Sequence, residues 1–258
     1  MISIFDTSFL LHFLLSDPPH ADFPNGWGGF ADVMHVDFKI PGEHWIEGEK
    51  FDGEMQIFHL HPGRRLMPTS SVLIRAKDDG YNYYFEEALK AFEKQYNWDY
   101  AMCQAKNRRE RQLVSEIDQI AKGSKVEHYR DNGEWDELSI DMDNVDLDEM
   151  KRDLDRSLQI GVWDPHHEML IPSIHFWRYD GSITEPPCGE WVTWFVSDKP
   201  MIIGTDQLER MKRVLFTHVD TECRRTSVHS EQSVARPIQD SAGRPVWKCR
   251  RSDFGPDK

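Results

Sequence analysis

The chain has 258 residues, 39% of them hydrophobic and 12% aromatic, with nine Trp; that is enough apolar material for one large domain or two small ones, and too much for a disordered chain. Its formal net charge of −14 excludes a nucleic-acid binder, which needs a basic surface to displace counterions, and fits a protein that handles small molecules. No apolar run reaches the roughly 18 residues that a spanning helix needs, so no membrane span is expected.

The first residues, MISIFDTSFLLHFLLSD, are apolar but contain Asp6 and His12. They lack the basic n-region and small-residue cleavage site of a signal peptide and read as a buried first strand or an incomplete N-terminus. Residues 16–29 are rich in Pro and Gly and read as loop. Alternating apolar and polar residues then predict strands over residues 33–40 and 51–61, joined by PGEHWIEGE, and a short half-buried strand over residues 71–76. Phe85, Leu89, Phe92 and Tyr96 recur at helical spacing, and Leu113, Ile117 and Ile120 continue the period. Within the acidic stretch that follows, DMDNVDLDEM lacks the glycine and the ligand spacing of an EF-hand. It reads as a solvated surface leading into a helix with Leu147, Leu154 and Leu158. Residues 97–160 are taken as an insertion in a single domain. Strands return over residues 175–179 and 191–196. A helix starts at Thr205, an N-cap candidate, and the tail is loop with a final strand. Strands in clusters, with helices mainly in one insertion, predict a mainly β or α+β domain.

The chemistry concentrates between Asp32 and His61. His35, Asp37, Glu43, His44, Glu54, Gln56, His59 and His61 sit among alternating apolar residues. Polar side chains at every second strand position share a face, and a row of imidazoles and carboxylates is costly to bury without a partner. His59-Leu60-His61 forms an HxH pair, but parity opposes it as a ligand pair. If Glu54 and Gln56 face a pocket, so does Phe58, and His59 and His61 face the other way unless a bulge intervenes. His166-His167 reads as a surface pair. The four cysteines show no CxxC spacing, so a zinc–thiolate site is not expected and the sequence alone cannot pair them.

Three ordered blocks resemble the α-class carbonic anhydrases. Glu43-His44 followed by Glu54 is similar to the family's SEH…AE(L)H. Residues 179–194, YDGSITEPPCGEWVTW, resemble YxGSLTTPPCxExVxW, and ARPIQ…GRPV resembles the RPxQ…GRxV ending. The resemblance implies a twisted, mostly antiparallel sheet with a helical insertion and a pocket floored by zinc, in a chain with a shortened or incomplete N-terminal segment. The family's zinc is held by three His and lowers the pKa of its bound water to about 7, giving the hydroxide that attacks CO2. By resemblance Thr184 and Glu43 are the pair that orients the hydroxide. Glu54 and His44 are the groups behind the ligands, and Phe58, Ile183 and Trp194 line the pocket.

At the ligand positions themselves the pattern departs. The HxH strand reads His35-Val36-Asp37, and the third position is Gln56. Glu185 replaces the second Thr of the family's TT pair. Asp is an acceptable zinc ligand and a neutral Gln carbonyl a poor one. Weak or absent zinc and low CO2 hydration are therefore expected, with CO2 and bicarbonate the substrates if the chain is active. Glu54, without an imidazole partner at position 56, is expected to bond the Gln56 amide or water. A shortened sheet would expose an edge to a protein partner. Cys188 matches a cysteine that extracellular members bond to one in the N-terminal segment; it implies secretory or lumenal ancestry, against the alternative of a buried free thiol.

Overall fold

The computed structural model describes residues 20–23, 30–61, 63, 67–120, 145–159, 163–184, 187–226, 233, 235–240 and 243–249. The N-terminal apolar stretch, Glu185, and the acidic run up to residue 144 lie outside the described residues.

Among the described residues, eight strands form one sheet: β1 (His20–Asp22), β2 (Phe30–Lys39), β3 (Gly53–Leu60), β4 (Met67–Lys77), β5 (Phe176–Gly181), β6 (Val192–Ser197), β7 (Met201–Gly204) and β8 (Trp247–Cys249). Their order is β1-β2-β3-β4-β6-β5-β8, with β7 also on β4. All pairs are antiparallel except β4 with β6 and β4 with β7. The sheet is thus mostly antiparallel, as expected. β4 differs from the short half-buried strand expected there. It runs 11 residues because its first half pairs with β6 and its second half with β7, and Val72, Leu73 and Ile74 are buried.

Alternation gives the sheet two faces. On one, Val36, Phe38, Met55, Ile57, Val72 and Ile74 pack under α1 (Tyr83–Ile120) and α3 (Thr205–Thr217). α1 begins where the Asn82 carboxamide oxygen accepts from the Tyr84 and Phe85 amides, an N-cap. Phe85, Leu89, Phe92 and Tyr96 are all buried. The helix runs unbroken through residue 97, so the insertion taken from the sequence starts inside α1. Leu113 continues the helical period but is exposed. Leu113 lies beyond the buried stripe of Phe85, Leu89, Phe92 and Tyr96. α2 (Leu147–Gln159) packs on α1, with Leu154 buried.

α3 is tied to α1 by polar contacts. Gln207 accepts from the Gly204 and Asn82 amides and donates to Asn82 O and Glu86. Arg210 forks between Glu86 and Glu93. A Cys103–Cys223 disulfide joins α1 to the turn after α3, a pairing across 120 residues that spacing could not reveal. Cys188 is a free thiol, half-buried rather than buried. No described helix is long and apolar enough to cross a membrane.

Candidate functional site

The second face of the sheet carries the site. In the β2–β3 register Asp37 lies opposite Gln56, Lys39 opposite Glu54 and His35 opposite Phe58. In the β3–β4 register Gln56 lies opposite Ser71. The register sets Asp37 and Gln56 in one cross-strand row, with His35 one step along the same face, opposite Phe58. The His35 ring stacks on Phe58 at 4.5 Å. Phe58 meets Trp194 edge-on at 5.9 Å, with Ile183 packed against the same cluster. The Trp194 indole N–H donates to Ser182 O at 3.1 Å, which fixes the segment leading to Thr184.

Glu54 is the hub. It is fully buried, and its carboxylate accepts five hydrogen bonds: from the Glu43 and His44 amides, the His44 ring, the Gln56 amide and the Ser71 hydroxyl. Burial alone would raise its pKa, but the His44 charge and these donors outweigh burial and bring it down to about 2. Burial works against the charged form of His44, and Glu54, 2.6 Å from its Nδ1, more than restores it, so its pKa is raised. The other His44 nitrogen bonds the Tyr179 hydroxyl at 2.6 Å. The expectation that Glu54 would bond the Gln56 amide is met at 2.8 Å.

That contact also sets the Gln56 amide. Its Nε2 donates to Glu54 at 2.8 Å and to Glu43 at 3.0 Å. An oxygen in that place would face two carboxylates, so the amide cannot be turned around. Its Oε1 is left toward the Thr184 hydroxyl, 3.5 Å away. Burial raises the Glu43 pKa, against the pull of Lys39 and of the Thr184 hydroxyl beside it.

Lys39 is the residue the sequence reading missed. It is buried, with its ammonium 3.3 Å from Asp37 Oδ2, while His35 Nε2 lies 3.9 Å from Asp37 Oδ1. The signal was present: residue 39 stands two positions from Asp37 and shares its face. Arg236 was also overlooked as a site residue. Its amide donates to Glu43 at 3.2 Å, and its guanidinium reaches Ser182 Oγ and Ile183 O. A cavity of about 450 Å³ opens beside Glu43 and His44, lined by Trp45, Ile46, Trp177, Tyr179, Thr184, Arg236 and Val246. Among the described residues, no group of three or more His, Cys, Asp and Glu side chains is gathered to hold a metal ion.

His59 lies on the opposite face, as parity required. It is fully buried, edge-on to Phe23 at 4.8 Å. Its Nε2 sits 2.8 Å from His166 Nε2. The reading of His166-His167 as a surface pair is corrected by this contact and by the stacking of His167 on Tyr84 at 3.9 Å. Both rings are half-buried because the segment around them folds back onto the end of the sheet. Burial and the neighbouring His166 lower the His59 pKa to about 3.

The eukaryotic-type carbonic anhydrase family model matches residues 93–250. Carbonic anhydrase 7 of Mus musculus is 38% identical over 98 residues, covering 38% of this chain and 34% of that protein. Mitochondrial carbonic anhydrase 5B of Homo sapiens is 33% identical over 101 residues, 39% of this chain and 30% of that protein. Among solved structures, Chlamydomonas reinhardtii carbonic anhydrase Cah3 in complex with acetazolamide aligns with 85% of this chain and 66% of its own, at 16% identity and a TM-score of 0.47. The chain belongs to the eukaryotic-type, α-class carbonic anhydrase family. It spans about a third of the length of the curated relatives it matches. The matched segment begins inside α1, so β2 and β3 lie ahead of it.

Proposed function

We propose that this chain is a carbonic anhydrase-like domain, residues 1–258 with an insertion at 97–160, whose metal floor has been replaced by an ion-paired, hydrogen-bonded one, and that it binds or scaffolds rather than hydrating CO2. The observation that carries this reading is Lys39. Asp37, at a ligand position, already has an ammonium 3.3 Å away. A second cation there would meet like charge at short range in a buried setting, where such repulsion is weakly screened. The remaining donors are one imidazole, His35, and one neutral amide oxygen, Gln56. That set does not fit a catalytic zinc, which takes three strong protein ligands and an open position.

The Thr184–Glu43 contact favours the second reading, a zinc-dependent hydration of CO2 with altered ligands. The same contact also serves a floor without metal, because it joins the Gln56 and Arg236 bonds in closing the network. For a binding role the cavity beside Glu43 is the better surface. Its walls combine apolar side chains, among them Trp45, Ile46 and Trp177, with polar and charged ones such as His44, Thr184 and Arg236, and small-molecule sites use such polar groups to fix orientation.

A stopped-flow CO2-hydration assay with and without excess zinc tests the proposal. No rate above the uncatalysed one is expected in either condition. Hydration that appears with zinc and is lost in His35→Ala would overturn it in favour of the altered ligand set.

A further inference from the structure

We infer that the cavity beside Glu43 and His44 binds a small monocarboxylic acid with a flat apolar body, its carboxylate on the Arg236 guanidinium and the Tyr179 hydroxyl and its body against the apolar side chains of the rim. The inference rests on the reading of that cavity as the chain's binding surface. None of His35, Asp37 and Gln56 lines it, so the site is separate from the candidate ligand positions. Its volume of about 450 Å³ falls among small-molecule pockets, roughly 300–1,000 Å³. Two donors meet at its inner end because consecutive residues hold them. Glu43 accepts from the Arg236 amide at 3.2 Å, and the His44 ring holds the Tyr179 hydroxyl at 2.6 Å. Arg236 Nη1 reaches Ser182 Oγ at 3.5 Å and Ile183 O at 3.3 Å. Among the described residues the guanidinium bonds only these neutral oxygens. A guanidinium without a carboxylate partner offers its fork of N–H groups to one.

A phenol both donates and accepts. Among the described residues His44 is the one hydrogen-bond partner of the Tyr179 hydroxyl, so one of its two roles is left for a ligand. His44 Nδ1 gives its proton to Glu54. When the ring carries its second proton, Nε2 donates to the Tyr179 oxygen, and the phenol proton is the role that remains. Glu43 is the inner group that opposes an anion. Its oxygens accept from Gln56 Nε2 and the Arg236 amide, and burial raises its pKa toward the neutral form. At the mouth, Trp45, Ile238 and Val246 line the same cavity and are 47%, 62% and 53% exposed. Single exposed apolar residues need no explanation, but several around one opening mark an interaction site. Trp177 adds a half-buried ring, with the Lys248 ammonium 4.3 Å from its centroid. Glu47 and Asp240, both exposed, put negative charge among the lining residues. One carboxylate therefore fits the inner end, and a second at the far end of the ligand would meet like charge.

The test uses the full chain, stripped of metal with chelator and titrated with benzoate, followed by calorimetry and tryptophan fluorescence. Benzoate should bind saturably and quench the fluorescence. Benzamide, of the same shape without the charge, should bind roughly tenfold or more weakly, as the loss of a charged hydrogen bond predicts. Terephthalate, with a second carboxylate at the far end, should also bind more weakly than benzoate. Arg236→Gln should weaken benzoate by roughly tenfold or more, and Tyr179→Phe by less. Tyr83→Ala, which removes an exposed aromatic outside the cavity, should change nothing. No saturable binding of benzoate, equal binding of benzamide, or binding unchanged in Arg236→Gln would overturn the site. The comparison of benzoate with benzamide needs no variant, so it decides even if Arg236→Gln does not fold. The hydration assay is decided separately. Failure of benzoate to bind a chain that zinc does not activate removes this ligand class and leaves the ion-paired floor standing, while hydration that appears with zinc overturns the floor whatever benzoate does.

Discussion

The two faces of the sheet carry histidines of opposite character. On the floor, charged and amide groups end on partners of opposite sign or role: Lys39 on Asp37, His44 on Glu54, Gln56 on two carboxylates. On the other face, His59 and His166 point nitrogen at nitrogen. The contrast teaches that the number of imidazoles near a site says little about its chemistry. What decides it is which partner each ring nitrogen meets: a carboxylate and a hydroxyl for His44, a carbonyl and a second imidazole for His59.

The sharpest way to break the floor is to remove its hub. Glu54→Leu would leave the His44 ring, the Gln56 amide, the Ser71 hydroxyl and two backbone amides without their acceptor. Removing one partner of a buried charged pair typically costs about 3–5 kcal/mol. Urea unfolding should show a loss of that size with an unchanged m-value, and a loss below about 1 kcal/mol would mean the network is not closed as described.

A smaller effect separates Asp37 and Gln56, the proposed ligand positions, from the Lys39 ammonium beside them. Asp37→His with Gln56→His restores three imidazoles but leaves Lys39 beside them. Adding Lys39→Ala should tighten zinc binding by roughly a further 10- to 100-fold, the usual worth of groups surrounding a metal site. Equal affinity in the double and triple variants would show that Lys39 does not guard the floor.

Much of this floor was legible before any coordinates. Alternation alone placed Asp37, Glu54, Gln56 and Phe58 on one face, and the register puts them there. Lys39 obeys the same parity and was overlooked because a strand lysine is usually a solvated end. His166 could not be found this way, since its partner lies 107 residues distant and the contact depends on how an irregular segment docks. The Cys103–Cys223 bridge has the same cause: it follows from the packing of α3 on α1, not from spacing. Leu113 failed in the other direction. Helical periodicity predicts a helix correctly but cannot say where the core beneath it stops.

The pH dependence of the floor gives an effect of about 1.4 kcal/mol per pH unit. Glu54 titrates near 4.5 when unfolded and at about 2 when folded. Its contribution is therefore fully present above pH 4.5 and is lost as the pH falls toward 2. The His44 shift has the opposite sign, since its folded pKa is raised. That contribution is present below pH 6.5 and is lost as the pH climbs through the folded value. The pair is worth most between these limits, so urea stability should peak on the acid side of neutrality. Glu54→Gln should flatten both limbs, and a variant with the wild-type acid slope would place the titrating group elsewhere.

The smallest effect lies under the helices, where the two halves of α1 differ. Leu89 is fully buried against the sheet and Leu113 is exposed. Truncating a buried leucine to alanine costs about 2–5 kcal/mol, while exposed substitutions stay within about 0.5 kcal/mol. Leu113→Ala should therefore leave the Tm where it was, and Leu89→Ala should lower it sharply. A marked loss from Leu113→Ala would show that the distal half of α1 has its own apolar partner, and the boundary of the helix-covered face would move outward along the helix to include it.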